Sequence, residues 1–310
     1  MLRYVRNRLL QLIPVLLGIT FLSFALMHSV AGDAVDMLYD NAGVAVAETV
    51  KNQMRSELGL DQPFLVQYTG WLVNLLRGDM GVSYVSHQRV FESFAGKLPQ
   101  TLYLALASLF LTLVVSIPLG IVAALHKNRF WDYFLRVLSF IGNSLPNFFV
   151  ALLLVLVFSV KLGLFSATGG SGPGGIVLPS LTLAIAMSAK YLRQVRNAVL
   201  EELHKEYVLA ARARGIRESV IFYKNVLKVA ILNIVTLMAL SLGSLLGGTA
   251  IVETIFMWDG VGQLAVKSIT MRDYPMIQAY VVWMAVIYVC MNLAADILYK
   301  AVDPRIKEVR

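Results

Sequence analysis

The sequence predicts an all-α, polytopic membrane protein with six transmembrane helices. Three observations carry that expectation. Of 310 residues, 58% are hydrophobic and only 15% charged. The mean hydropathy is +0.69. The apolar residues also gather into runs of about 20, the length that crosses a bilayer core as a helix, and a soluble domain has no interior large enough to hide them.

The first run covers residues 9–30 and follows a basic opening. It is too long for a secretory signal core, and Ala31-Gly32-Asp33 makes a poor cleavage site, so it reads as a retained helix. Residues 31–100 are too many for a plain connector. With a helix-like stretch at 46–58 followed by Pro63, they predict a small folded cap. The remaining runs are 101–125, 137–160, 176–192, 229–252 and 277–299. The fourth is the shortest, with Pro179 near one end and Lys190, placed to snorkel, near the other. Pro14, Pro118, Pro146 and Pro179 predict kinks in a packed bundle. The chain is therefore expected to divide into an N-terminal helix plus loop region, 1–100, and a five-helix core, 101–305.

Charge sets the orientation. One set of alternate segments carries 19 of the 27 Lys and Arg residues and the other carries 8, which puts the richer side and both termini in the cytoplasm. The net charge of +8 does not imply nucleic acid, because the cations are scattered between apolar runs. Cys290, the only cysteine, lies in an apolar run and forms no internal disulfide.

The most informative polar segment is 193–228, basic and free of proline, which predicts two surface helices. Glu201 and Glu202 are expected to open the first and Arg212 and Arg214 to close it, complementing the helix dipole, with Gly215 just past its end. Ala210, Ala211 and Ala213 keep that helix slim. Residue types alone leave two readings: a helix that docks in a partner's groove, or a solvated face rich in a good helix former.

Glu206-Tyr207-Val208-Leu209-Ala210-Ala211-Arg212-Ala213-Arg214-Gly215 resembles the coupling loop of binding-protein-dependent ABC importer permeases, in the peptide/nickel group. So do Leu58-Gly59-Leu60-Asp61-Gln62-Pro63, Gln67-Tyr68, Trp71 and Gly78-Asp79-Met80-Gly81-Val82-Ser83 for the N-terminal part. Leu246-Gly247-Gly248, Val252-Glu253-Thr254-Ile255-Phe256, Gly260-Val261-Gly262, Arg272-Asp273-Tyr274-Pro275-Met276-Ile277-Gln278 and Asp303-Pro304-Arg305 do so for the C-terminal part. The sequence departs from the family pattern at Ala34, at Trp258-Asp259-Gly260 and at Lys228-Val229.

The resemblance implies a type I ABC importer permease fold in a bacterial cytoplasmic membrane, paired with a second permease. Two ATPase subunits binding ATP and Mg would sit inside, and a substrate-binding protein outside. It further implies that Glu206, Tyr207, Ala210, Ala211, Arg212, Arg214 and Gly215 meet the ATPase. This chain carries no G-x-x-x-x-G-K-[ST] loop and binds no cofactor by that route. The translocation path is expected along Asn143, Ser144 and Asn147, and along Ser241, Gly243, Ser244, Gly247, Gly248 and Thr249, small residues that equally suit close helix packing. Glu253 and Asp296 are candidates by virtue of membrane depth.

Nickel or a metal chelate is the expected cargo, with di- or oligopeptides the alternative. The Ser144-Leu145-Pro146-Asn147-Phe148-Phe149 and Leu98-Pro99-Gln100-Thr101-Leu102 stretches resemble nickel-type permeases, and His28, Asp33, Asp36 and Asp40 offer transient contacts to a cation. A secondary transporter or channel is the contrasting class. It would show paired ionisable residues in mid-span or inverted repeats, and the sequence shows neither. No HExxH or GxSxG motif points to an enzyme.

Overall fold

A computed structural model describes residues 2–29, 33–42, 47–169 and 174–302. Among them there are helices and no named strand: α1 (Leu2–Ser29), α2 (Ala34–Ala42), α3 (Glu48–Glu57), α4 (Phe64–Leu76), α5 (Val90–Leu125), α6 (Phe130–Ser144) and α7 (Asn147–Leu154), which continues as a π-helical stretch, Val155–Lys161. Then follow α8 (Val177–Leu203), α9 (Glu206–Ala213), a single turn α10 (Glu218–Val220) with a π-helical stretch Ile221–Val226, α11 (Leu227–Ile255), α12 (Val261–Thr270) and α13 (Tyr274–Val302). The cap expected between the first two spans is present as α2, α3 and α4.

Each predicted apolar run falls on a helix, but the helices differ in kind. Leu10–Ser29, Val90–Leu125 and Tyr274–Ala295 are single apolar rods long enough to cross a membrane. Their outer faces stay apolar, as a lipid-facing surface must be: Leu22 and Leu26 of α1 are 60% and 69% exposed. The fourth and fifth runs are α8 and α11. The third run is not the single kinked span expected. Phe130–Ser144 and Asn147–Lys161 meet at 101°. Pro146 supplies no N–H and forces the residue before it out of the helical region, and Leu145 is accordingly extended at φ −79°, ψ 130°.

The chain forms two compact units, residues 1–101 with 259–290, and residues 102–258 with 291–310. In the first, α4 is fastened to α1 through a Thr20–Tyr68 hydroxyl contact of 3.1 Å and a cluster of Phe21, Phe24, Phe64 and Tyr68 rings meeting edge to face. Its α5 and α13 segments share a small core of Val90, Met276 and Ala279, against which Met80, Leu264 and Trp283 pack.

In the second unit α8 packs against α6, α7 and α11, and its inner face is buried from Leu178 to Glu202. Close approach of helices depends on small residues there. A Cβ on Gly120 would lie 2.5 Å from the Cβ of Val195, and one on Gly142 would lie 3.0 Å from that of Ala189.

Candidate functional site

The segment 193–228 folds differently from the two-helix expectation. Helix α8 does not stop at the apolar boundary but runs on through Leu203, so Glu201 and Glu202 lie in its last turn and open nothing. The next helix opens at Glu206, after His204 and an extended Lys205 (φ −72°, ψ 149°). Tertiary partners explain the difference. Glu202 is 2% exposed, pairs with Lys205 and accepts a 2.9 Å hydrogen bond from the Tyr207 hydroxyl. Burial and this carboxylate push the Tyr207 phenol up to about 12, and the hydrogen bond to Glu202 raises Lys205 as well, so both remain protonated donors near neutrality.

The far end of α9 closes as expected. Gly215 takes φ +73°, its N–H donates to the Arg212 carbonyl (2.9 Å), and the Ile216 N–H donates to the Ala211 carbonyl (3.2 Å). This pair of bonds is the Schellman arrangement, which an L-residue at Gly215 would strain. Arg212 then grips Glu218 through two hydrogen bonds of 2.6 and 3.2 Å, tying α9 to α10.

Helix α9 thus has two faces. Val208 and Ala211 point inward and join a continuous core with Ala124 of α5, Tyr191, Val195 and Val199 of α8, and Ala230, Ile234 and Met238 of α11. Glu206, Tyr207, Leu209, Ala210, Arg212, Ala213, Arg214 and Gly215 are exposed. Of the seven residues named from the coupling motif, Ala211 alone is buried. Its methyl packs the helix onto its own unit rather than offering a contact to another protein.

Two polar clusters went unanticipated. Asp132, wholly buried near the start of α6, accepts hydrogen bonds from Arg196 at 2.6 and 2.7 Å and from the Asn128 N–H at 2.9 Å, with Arg136 at 3.7 Å. This two-pronged pair fastens α6 to α8. An acid amid the apolar Phe130-Trp131 and Tyr133-Phe134 was the available signal. In the first unit, Asp273, 3% exposed, accepts from the Ser83 hydroxyl at 2.5 Å and the Tyr84 N–H at 3.1 Å. Burial raises its carboxyl above the usual range against those hydrogen bonds, and burial with the nearby Asp273 pushes the Tyr84 phenol to about 12.

The expected pathway residues separate into groups. Asn143 and Ser144 are exposed at the end of α6, and Asn147 is half-buried at the start of α7. Gly247 and Gly248 on α11 are exposed, and a Cβ on either would meet nothing within 4 Å, so neither serves packing within this chain. Ser241 instead receives the hydroxyl of buried Tyr191, joining α11 to α8. Gly243 and Thr249 are buried, Thr249 bonding the Leu246 carbonyl at 3.0 Å, and Glu253 is wholly buried. Ser244 and Asp296 have side chains outside the described ones, as does Asp40.

Three of the cation candidates have partners within the chain. His28 contacts the Phe24 carbonyl (3.0 Å) and Gln67 (3.1 Å), while Asp33 and Asp36 bind Arg55 at 2.7 and 2.6 Å. Burial works against ionisation of Asp36, but the Asp33 backbone hydrogen bond and Arg55 outweigh it and hold its carboxyl below the usual range. Among the described residues, no group of three His, Cys, Asp or Glu side chains is placed to hold a metal ion. His28, Asp33 and Asp36 are thus each engaged by another side chain of this chain.

Comparison with known proteins agrees with this architecture. Residues 116–308 match the binding-protein-dependent transport system inner membrane component, and residues 1–105 match the N-terminal region of such membrane components. The chain belongs to this family: it is a permease subunit of an ABC importer, a non-catalytic membrane component. It is 40% identical over 316 residues to the oligopeptide transport system permease protein AppB of Bacillus subtilis, covering 98% of this chain and 99% of that protein. It is 38% identical over 307 residues to the glutathione transport system permease protein GsiC of Salmonella typhimurium, covering 99% of each. An inward-facing MetNI methionine ABC transporter shares the fold at 19% identity and a TM-score of 0.56, over 69% of this chain and 97% of that one. An amino acid ABC transporter crystallised with histidines does so at 21% identity and 0.51, over 70% and 95%.

Proposed function

We propose that this permease forms half of the pathway of an importer for di- or oligopeptides. One observation carries the substrate class. Identity of 38–40% over essentially the full length joins this chain to permeases named for oligopeptide and for glutathione, itself a small peptide. Neither relative is named for a metal, and His28, Asp33 and Asp36 each have a partner within the chain, which favours peptide over the expected nickel.

In this reading a second, related permease completes the pathway, two ATPases binding ATP and Mg dock inside, and a substrate-binding protein delivers cargo outside. The basic segments, α9 included, face the cytoplasm with both termini. The exposed side of α9 meets the ATPase, and Val208 and Ala211 pass its displacement into the core shared by α5, α8 and α11. Nucleotide then shifts a two-state bundle, because the ATPase contacts α9 differently in each state. Asn143, Ser144, Gly247 and Gly248, exposed in the single chain, face the pathway or the second permease.

The test is uptake by the complete reconstituted complex, offered labelled tripeptide and labelled nickel in parallel. ATP-dependent peptide accumulation is expected. Nickel accumulation without peptide uptake would overturn the substrate class, and uptake by this chain alone without ATP would overturn the importer reading.

A further inference from the structure

Within the first unit, a half-open cavity of about 300 Å³ is walled by Trp71, Tyr84 and Tyr274, with Asn74 and Asp79 exposed at its edge. Gln278, 0% exposed, also lines it, and neither its Oε1 nor its Nε2 has a hydrogen-bond partner among the described residues. A buried amide left unpaired in both directions weakens the fold that carries it, so its retention in a cavity asks for a ligand that satisfies both atoms.

The complement of a primary amide is a peptide group, whose N–H donates to Oε1 while its carbonyl accepts from Nε2. Aromatic walls suit the apolar parts of such a ligand. Asp79 uses one carboxylate oxygen on the Gly81 N–H at 2.8 Å, which leaves the other to receive an ammonium. From this cavity we infer that the permease itself holds a short peptide by its amino-terminal end, with Gln278 pairing a backbone amide and Asp79 taking the terminal ammonium. The inference deepens the peptide reading above and rests on it.

The experiment uses the complete complex in nanodiscs, with Cys290→Ser removing the native thiol of this chain. Asn74→Cys places a thiol on the cavity wall, and Gln53→Cys places one on α3 outside it. Maleimide labelling of this chain is followed by mass spectrometry with trialanine, N-acetyl-trialanine or nickel chloride as probe. Trialanine should slow labelling at Asn74→Cys and not at Gln53→Cys, and N-acetyl-trialanine should protect less. Gln278→Leu should raise the half-protecting concentration about tenfold. Its melting temperature should stay level or rise, since an unpaired buried amide has been removed.

Protection that is absent, unchanged by Gln278→Leu or reproduced by nickel chloride would overturn the inference. So would a lowered melting temperature with protection intact, the mark of a structural amide. Labelled trialanine uptake is measured in parallel. Uptake without protection sinks this site and leaves the peptide importer standing, whereas protection without uptake sinks the importer's substrate class and supports the site.

Discussion

Gly120 offers a sharp test of how the second unit is held together. In Gly120→Ala the new Cβ would lie 2.5 Å from the Val195 Cβ, 2.6 Å from its Cγ1 and 2.9 Å from the Leu192 carbonyl oxygen. Carbon atoms pack at about 3.5–4.0 Å, so the overlap is about 1 Å or more, and two of the three obstacles are atoms a side-chain rotation cannot move. Overpacking of this kind costs about 1–3 kcal/mol, against a helix-propensity gain of about 0.8–1.0 kcal/mol for replacing glycine. The net loss is then up to about 2 kcal/mol, roughly a 30-fold shift in the unfolding equilibrium. Unfolding in detergent, by heat or by titrated denaturing surfactant, measures it. Val195→Gly removes two of the three obstacles, so the double variant should recover most of the loss, a coupling of about 1 kcal/mol or more. Gly70→Ala in α4, where a Cβ meets nothing within 4 Å, is the clash-free control and should show the propensity gain alone, about 0.8–1.0 kcal/mol of added stability. If Gly120→Ala were as stable as the parent, or equally costly with Val195→Gly, close α5–α8 contact would not be what holds these helices.

Asp132→Ala should cost about 3–5 kcal/mol by stranding the Arg196 guanidinium, and Asp132→Ala with Arg196→Met should recover most of it in the same unfolding assay. Glu206→Lys and Gly215→Pro should leave ATP hydrolysis by the complex running while peptide uptake falls, and full uptake by either would contradict a coupling role for α9. Asp273 binds its proton more tightly folded than unfolded, because burial raises its carboxyl. Its contribution to stability is therefore complete below the ordinary value of 3.8 and is lost as pH rises through the higher folded value. Thermal unfolding from about pH 4 to about pH 7 should show that decline, and Asp273→Asn should flatten it. A profile unchanged by the substitution would remove Asp273 from the account.

Apolar length was legible because a bilayer imposes it locally, and all six runs fall on helices. What escaped the sequence depends on distant partners. Glu201-Glu202 resembles a helix start, but Glu202 is buried against Lys205 and Tyr207 at a helix end. Pro146 advertised a bend, yet its size depends on Leu145 becoming extended. Asp132 and Arg196 lie 64 residues apart and His28 and Gln67 lie 39 apart, separations at which spacing says nothing about contact. The same holds for the cation candidates: the partners of His28, Asp33 and Asp36, Gln67 and Arg55, are out of view in the sequence. Gly215 succeeded because its left-handed backbone is a local demand that glycine meets by itself.

The short helix α9 is bounded by a break at each end, the extended Lys205 on one side and the left-handed Gly215 on the other. Both joints are clamped, by Glu202 holding Lys205 and the Tyr207 hydroxyl on one side and by Arg212 holding Glu218 on the other. Between those clamps the piece is seated on two side chains, Val208 and Ala211. Held at both ends and seated in between, so short a helix takes its position from the helices it rests on rather than from its own 8 residues.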